Sequence, residues 1–418
     1  MSKIVIRLVA DLLVKNCYYF NCKQKDFVMY TKIKHLCIIT DHYPTGRSPK
    51  YAFVHELVKG FAKFGVNCTV LAPQSITHIA KHKTEFRKKR GIRKVDSKNY
   101  ITILSPKFFI STTKRYFFLN FGKITYNNFK RTCFKYLKSE GKKFDAFYGH
   151  FIFPSAFVAV EAGKIFKKPS FLAYGENSPY TLDVFGYTKT SQMLAGINGV
   201  ISVSTANKDF LISNNIVEKN KIQVFPNGVD LSLFYPHDKA LMRKKHNMPL
   251  DAFIVAFVGG FIEIKGANRL SSALQQLNNP NIKVFYIGQG MVSPFGENII
   301  FAESKPHDII PEYLSCADVF VLPTTHEGCC NAIIEAMACG LPVISSNKSF
   351  NDDIIDDSCS IRIDENNINA IAGAIEFLYN NKYKLKELRQ GALKKASTLS
   401  INERAKNILD FMEEKGEV

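Results

Sequence analysis

Residues 317–343 read ADVFVLPTTHEGCCNAIIEAMACGLPV, and no other stretch restricts the fold as strongly. Residues 317–322 are short, apolar and rich in β-branched and aromatic side chains, which suits a strand covered on both faces. Residues 331–338 are helix formers, closed by Gly340 and Pro342, residue types that end a helix. Strand, turn and helix in this succession make a βα unit and point to a parallel α/β sheet. Glu327 falls in the turn at the carboxyl end of the strand, where open α/β sheets bind ligands. Glu335 falls about one turn inside the helix. Were the segment wholly helical, eight residues at ~1.5 Å each would place the two acids roughly 12 Å apart. That is too far to share one proton, but it suits gripping two parts of an extended ligand.

The same alternation runs through the rest of the chain. Strands are predicted at 35–40, 68–71, 101–104, 146–148, 170–173 and 200–203, with a loop at 41–49 and a helix at 51–64. Residues 225–236, FPNGVDLSLFYP, interrupt the pattern with Pro, Asn-Gly and Pro, and read as a linker. A second series follows, with strands at 253–258, 283–287, 299–301, 318–322 and 342–345 and helices at 265–277, 308–316, 331–338, 368–380 and 383–397. A chain of 418 residues exceeds one ordinary core. The expected division is an extension over 1–34, a Rossmann-like domain over 35–225, a second over 226–398, and a closing helix over 399–418 that packs back on the first. Two doubly wound domains facing each other make the cleft between them the default site.

Charge divides the chain differently. The net charge is +19, with 35 Lys+Arg against 12 Asp+Glu in residues 1–210 and 21 against 25 in residues 211–418. Such asymmetry points to a polyanionic partner for the first half only. The ten cysteines form no C-x-x-C pair or other metal-ligand spacing, and a reduced, cytosolic setting is the simplest reading. No apolar run approaches the ~18–20 residues that span a bilayer. The first residues imitate a signal peptide but are interrupted by Arg7, Asp11 and Lys15. They are either a weakly amphipathic surface helix or an extension with no fixed role.

Val258-Gly259-Gly260 precedes Lys265-Gly266 at the start of a helix. Glycines after a strand let backbone N–H groups approach an anion, and the helix terminus and lysine add positive charge. Tyr286-Ile287-Gly288-Gln289-Gly290 repeats the arrangement. Plain turn chemistry would explain either run by itself. His150 ends a strand in YGHFIFPSA, where a lone histidine is more often structural than functional unless its company says otherwise.

Taken together with the acidic pair, these motifs resemble the retaining family 4 glycosyltransferases, which have the GT-B fold. The likeness covers roughly residues 35–398 and includes Val203-Ser204 and PNGVD at 226–230. It implies that Glu327 contacts donor-sugar hydroxyls and that Glu335 holds the ribose hydroxyls of the nucleotide. It further implies that the backbone of Gly328, Cys329, Cys330, Asn331 and Ala332 binds sugar and diphosphate. Gly259, Gly260 and Gly288 would line the donor site, Lys265 would neutralise the diphosphate, Gly46 would lie against the phosphates, and His150 would face the donor sugar. The co-substrate implied is a nucleoside diphosphate sugar of UDP or GDP type, with no other cofactor. No Asp-x-Asp occurs, so a metal-bridged diphosphate is disfavoured and no metal site is expected.

Three departures from the family pattern stand out. Gly260 occupies a position where the family usually has arginine, so phosphate clamping is expected to pass to Arg269 or Arg47. Gly46 is followed by Arg47 where a second glycine is usual. Cys329-Cys330 replaces a common aromatic-Pro sequence.

Residues 81–143 are basic and aromatic, including KHKTEFRKKRGIRK and TTKRYFFLNFGKITYNNFKRTCFKYLK. A solvated face, a nucleic-acid surface and a membrane interface all fit that composition. The interfacial reading is favoured, because a lipid-linked acceptor would require it and the nucleotide-sugar site accounts for the rest of the chain. The expectation is a peripheral enzyme on the inner face of the cell membrane, building a surface glycan, with an anionic membrane surface and no nucleic acid as partner. A two-domain nucleotide or nucleic-acid binding protein that uses its basic half is the alternative.

Overall fold

The computed structural model describes residues 31–44, 51–82, 85–109, 115–116, 119–176 and 181–417. Gly46, Arg47, nearly all of the N-terminal extension and parts of the basic stretch lie outside the described residues.

The first half forms an eight-stranded sheet from β1 (His35–Ile39), β2 (Asn67–Leu71), β3 (Arg90–Lys94), β4 (Tyr100–Leu104), β5 (Ala146–His150), β6 (Ser170–Tyr174), β7 (Gly199–Ser202) and β8 (Ile222–Val224). The spatial order is β8-β7-β6-β5-β1-β2-β4-β3. Every pairing is parallel except β3 on β4. Ile38 of β1 lies opposite Val70 and Tyr148. Successive strand side chains point to opposite faces, and this sorts the apolar residues into two cores. Cys37, Ile39, Phe147 and Leu172 join one, and Leu36, Ile38, Tyr148 and Ala173 the other. The first core is covered by α2 (Phe121–Glu140) and α3 (Phe157–Phe166), and the second by α1 (Ala52–Lys63).

The second half forms a six-stranded sheet from β9 (Phe253–Val258), β10 (Ile282–Ile287), β11 (Ile299–Glu303), β12 (Val319–Leu322), β13 (Val343–Ser346) and β14 (Ser360–Ile363). The order is β11-β10-β9-β12-β13-β14 and all pairs are parallel. Helices α4 (Ala267–Leu277) and α5 (Asn331–Ala338) follow β9 and β12. The fold is therefore α/β, with two parallel Rossmann-like sheets.

The chain crosses between the halves twice, and the crossings touch. Val229 donates to the Leu399 carbonyl at 2.8 Å, and Ile401 donates to the Val229 carbonyl at 2.9 Å. Gly228 makes room for this, since a Cβ there would come within 2.7 Å of the Ile401 Cα. The last helix, α6 (Ile401–Gly416), then lies on the first half. Its Ala405, Ile408 and Met412 share a core with Phe61 and Tyr148. A Cβ on Gly60 of α1 would stand 2.6 Å from the Ala405 Cβ, so that glycine sets how closely the two helices pack.

The basic stretch differs from its reading as a surface. It contains β3, an antiparallel edge strand, and the whole of the 20-residue α2. Tyr126, Phe129, Cys133 and Leu137, at helical spacing, are buried in the core. Much of its aromatic character is thus interior, while Phe86, Ile92 and Phe109 remain more than 60% exposed.

Candidate active site

The carboxyl ends of β5 and β6 face those of β9 and β12 across a cavity of about 630 Å³. His150, Gly175 and Glu176 line it from the first half, and Gly259, Gly260, Lys265 and residues 327–332 from the second.

Lys265 ends a short 3-10 turn (Glu263–Lys265) ahead of α4. Gly266 follows with φ of 76°, a left-handed conformation that favours glycine, and a Cβ there would meet the Pro323 carbonyl at 2.5 Å. The loops after β9 and β12 are thereby locked together, and the Lys265 ammonium is in direct contact with the Glu327 carboxylate. Burial acts to lower the lysine's pKa, but the Cys330 sulfur and the Glu327 carboxylate outweigh it and hold it above the ordinary lysine value. Thr324 Oγ1 also donates to Glu327 Oε1, at 3.4 Å.

Gly328, Cys329, Cys330, Asn331 and Ala332 carry the cavity wall to the amino end of α5. Asn227, at the crossing, donates its side-chain amide to the Cys329 carbonyl at 3.1 Å. Burial pushes both cysteine thiols up to about 12, so they are neutral. The Asn331 Oδ1 is buried without a partner. Glu335 does not line this cavity, and its Oε1 pairs with His307 Nε2 at 3.0 Å. The hydrogen bond to Glu335 raises the His307 pKa against the opposing effect of burial.

His150 is 5% exposed, and neither ring nitrogen has a hydrogen-bond partner. Its ring packs against Phe151 and Phe53, with centroids 4.5 and 5.5 Å away. Burial, helped by the Arg404 charge, lowers its pKa to about 3, so the imidazole is neutral.

Two sequence assignments meet a different geometry. Arg269 does not turn to the cleft. Its guanidinium donates to the carbonyls of Glu263, Ile264 and Pro323 at 2.9, 3.3 and 2.8 Å, and to the Glu263 carboxylate at 3.0 Å. It straps the Lys265 loop and has few donors left for a phosphate. Gly288 has a packing reason for being glycine, since a Cβ would fall 1.9 Å from the Gly259 carbonyl oxygen. The loops 259–261 and 288–290 lie on each other, joined by the Phe261–Gly290 bridge.

Two lining residues carry no signal in the sequence. Glu176 follows β6. Its Oε1 accepts from the Ile152 N–H at 3.0 Å, its Oε2 is buried without a partner, and burial pushes its pKa to about 8. Arg404 enters from the first turn of α6, and its Nε donates to the Phe225 carbonyl at 3.3 Å. Only the folded chain brings either one to the cleft.

Residues 238–395 match the family described as Glycosyl transferases group 1, and residues 52–233 match Glycosyltransferase Family 4. The chain is 25% identical over 322 residues to TuaC of Bacillus subtilis (strain 168), a glycosyltransferase named for teichuronic acid biosynthesis. That alignment covers 74% of this chain and 80% of TuaC. It is 27% identical over 199 residues to the capsular polysaccharide biosynthesis glycosyltransferase CapM of Staphylococcus aureus, covering 44% of this chain and 52% of CapM. Among solved structures, sucrose-phosphate synthase from Thermosynechococcus elongatus superposes with a TM-score of 0.69 at 17% identity, over 90% of this chain and 97% of that one. HepE from Anabaena, in complex with UDP, superposes with a TM-score of 0.68 at 17% identity, over 91% and 100%.

Proposed function

Because the chain belongs to the group 1, family 4 glycosyltransferases and has their two-sheet GT-B fold, we propose that it moves a sugar, with retention, from a nucleoside diphosphate sugar to a lipid-linked surface glycan. Capsule, O-antigen or exopolysaccharide is the class of product. The relatives named for teichuronic acid and capsule synthesis support that class, and the UDP complex of HepE supports a UDP-type donor. One observation carries the reading: Lys265 and Glu327 meet beside the amino end of α5, facing a neutral His150 across the cleft.

The chemistry follows from that arrangement. Breaking the bond from the anomeric carbon to the diphosphate requires stabilised charge on the leaving phosphate, which a fixed cation and the N–H groups at the helix end provide before reaction. Lys265 supplies the cation. Glu327 is then free to accept from a sugar hydroxyl, and His150, neutral and unpartnered, can bond another. The acceptor oxygen attacks the same face of the anomeric carbon, and its proton passes to the departing phosphate oxygen. Glu335 takes the ribose hydroxyls and shares or exchanges its bond with His307.

The membrane element of the proposal rests on Phe86, Ile92 and Phe109, exposed among Lys88, Lys89, Arg90 and Lys94. No helix among the described residues is long and apolar enough to cross a bilayer, so the proposed attachment is to the surface. A panel of UDP- and GDP-sugars tested by thermal shift and then by transfer checks the proposal. One donor is expected to raise the Tm and to be consumed only when glycan acceptor is present. Full transfer by Glu327→Ala would defeat the site assignment.

A further inference from the structure

Arg404 stands apart among the charged groups of the cleft. Lys265 is matched by Glu327. Asp41, behind His150 and Glu176, pairs its Oδ2 with His42 Nδ1 at 2.7 Å. Arg404, a side chain about nine-tenths buried, lines the same cavity without such a partner. Among the described residues no carboxylate lies within ion-pair reach of it, and its one hydrogen bond is the 3.3 Å contact from Nε to Phe225. A guanidinium carries five N–H donors, so four are without a protein acceptor. Its terminal nitrogens are not sealed from the cavity, so an anion entering there can reach them.

Helix stability does not explain the residue. It lies in the first turn of α6, where the macrodipole disfavours a cation. Its field reaches His150 in the first half and Cys329 in the second. Cys329 leads directly into the amino end of α5, on the same cavity wall as Lys265.

We propose that Arg404 is an anchor for the donor's diphosphate, closing on it from the first half while Lys265 and the α5 N–H groups hold it from the second. The inference rests on the donor-site reading above. A planar fork of N–H groups matches two phosphate oxygens at once, which a lysine cannot do. Since α6 is packed on the first sheet, a diphosphate held in this way also draws the two halves together.

The test uses the full-length protein with Arg404→Met and Arg404→Lys, titrated with UDP, GDP and the parent nucleosides, with Tm measured alongside. Arg404→Met is expected to keep or raise the Tm without ligand, because an unmatched buried charge has been removed. Its affinity for the preferred nucleoside diphosphate should fall about 10- to 100-fold, as for a lost charge-assisted hydrogen bond, with nucleoside affinity unchanged. Arg404→Lys should restore part of the loss. Three results would overturn the assignment: diphosphate affinity within about twofold of wild type, equal weakening of diphosphate and nucleoside, or a lower Tm with affinity intact. A wild-type protein that binds neither diphosphate would instead remove the donor site itself, and this inference with it.

Discussion

Lys265 and Glu327, 62 residues apart in sequence, neutralise one another inside the cleft. At the proposed donor site, an arriving diphosphate would compete for the ammonium and so release the carboxylate to meet the sugar. Binding of phosphate and preparation of the sugar contact would then be a single event.

Lys265→Ala is expected to lower kcat/KM about 10²- to 10³-fold, the range for losing one preorganised electrostatic group. The single change also strands Glu327 as a buried charge, so the Tm should fall. Lys265→Ala combined with Glu327→Ala should recover Tm without recovering activity, because the two effects share one pair. Initial rates and melting curves for the three variants check this.

His307 and Glu335 make stability depend on pH. The folded-state pKa of His307 lies above its ordinary 6.5. The pair therefore stabilises fully below about pH 6.5, and that contribution is lost as pH rises through the raised value. Glu335→Gln should flatten this part of the Tm–pH curve. A variant curve that superposes on the wild type would contradict the pairing.

Glu176 acts in the same direction for a different reason. Its carboxyl keeps its proton in the folded state up to about pH 8, whereas an unfolded glutamate gives it up near 4.5. Folded protein is therefore progressively disfavoured as pH climbs through that window. Glu176→Gln, which cannot ionise, should melt higher than wild type at pH 8 to 9 and about equally at pH 4. Should it also raise the KM for acceptor while sparing donor binding, the unpartnered Oε2 would be placed against an acceptor hydroxyl.

Gly288→Ala should destabilise by about 3 kcal/mol, at the upper end for overpacking, because the added carbon would fall on the Gly259 carbonyl oxygen. Donor affinity should fall with it, since the displaced loop carries Gly259 and Gly260 into the cleft. Chemical denaturation read beside donor titration separates the two effects.

Replacing Phe86, Ile92 and Phe109 with serine should weaken binding to anionic vesicles while leaving transfer to a soluble acceptor intact. Because these side chains are exposed, stability should hardly change. Binding that persists in the triple variant would assign the attachment to charge alone.

Local pattern made part of this molecule legible. The apolar strands, the glycines that follow them and the helix after Glu327 each occupy a few consecutive residues, so Lys265, Glu327 and His150 could be found where a parallel sheet presents its ligands. Helix α2 was hidden because its Lys and Arg residues mask apolar positions at helical spacing, and β3 because RGIRK has too little apolar alternation to declare a strand. Arg269 looked free because nothing in the sequence shows that three carbonyls converge on it. Arg404 and His307 were invisible for a related reason, since their partners lie 179 and 28 residues away. Charge without a local role reads as surface until the fold supplies its neighbours.

The bonded crossing at Val229 and Ser400 has a mechanical meaning. A single covalent tether would let the halves swivel freely. Two tethers lying side by side act like paired pins in a door frame, which permit swing about one axis and resist torsion. Opening for substrate exchange should thus follow one arc, returning the same faces to register after each turnover.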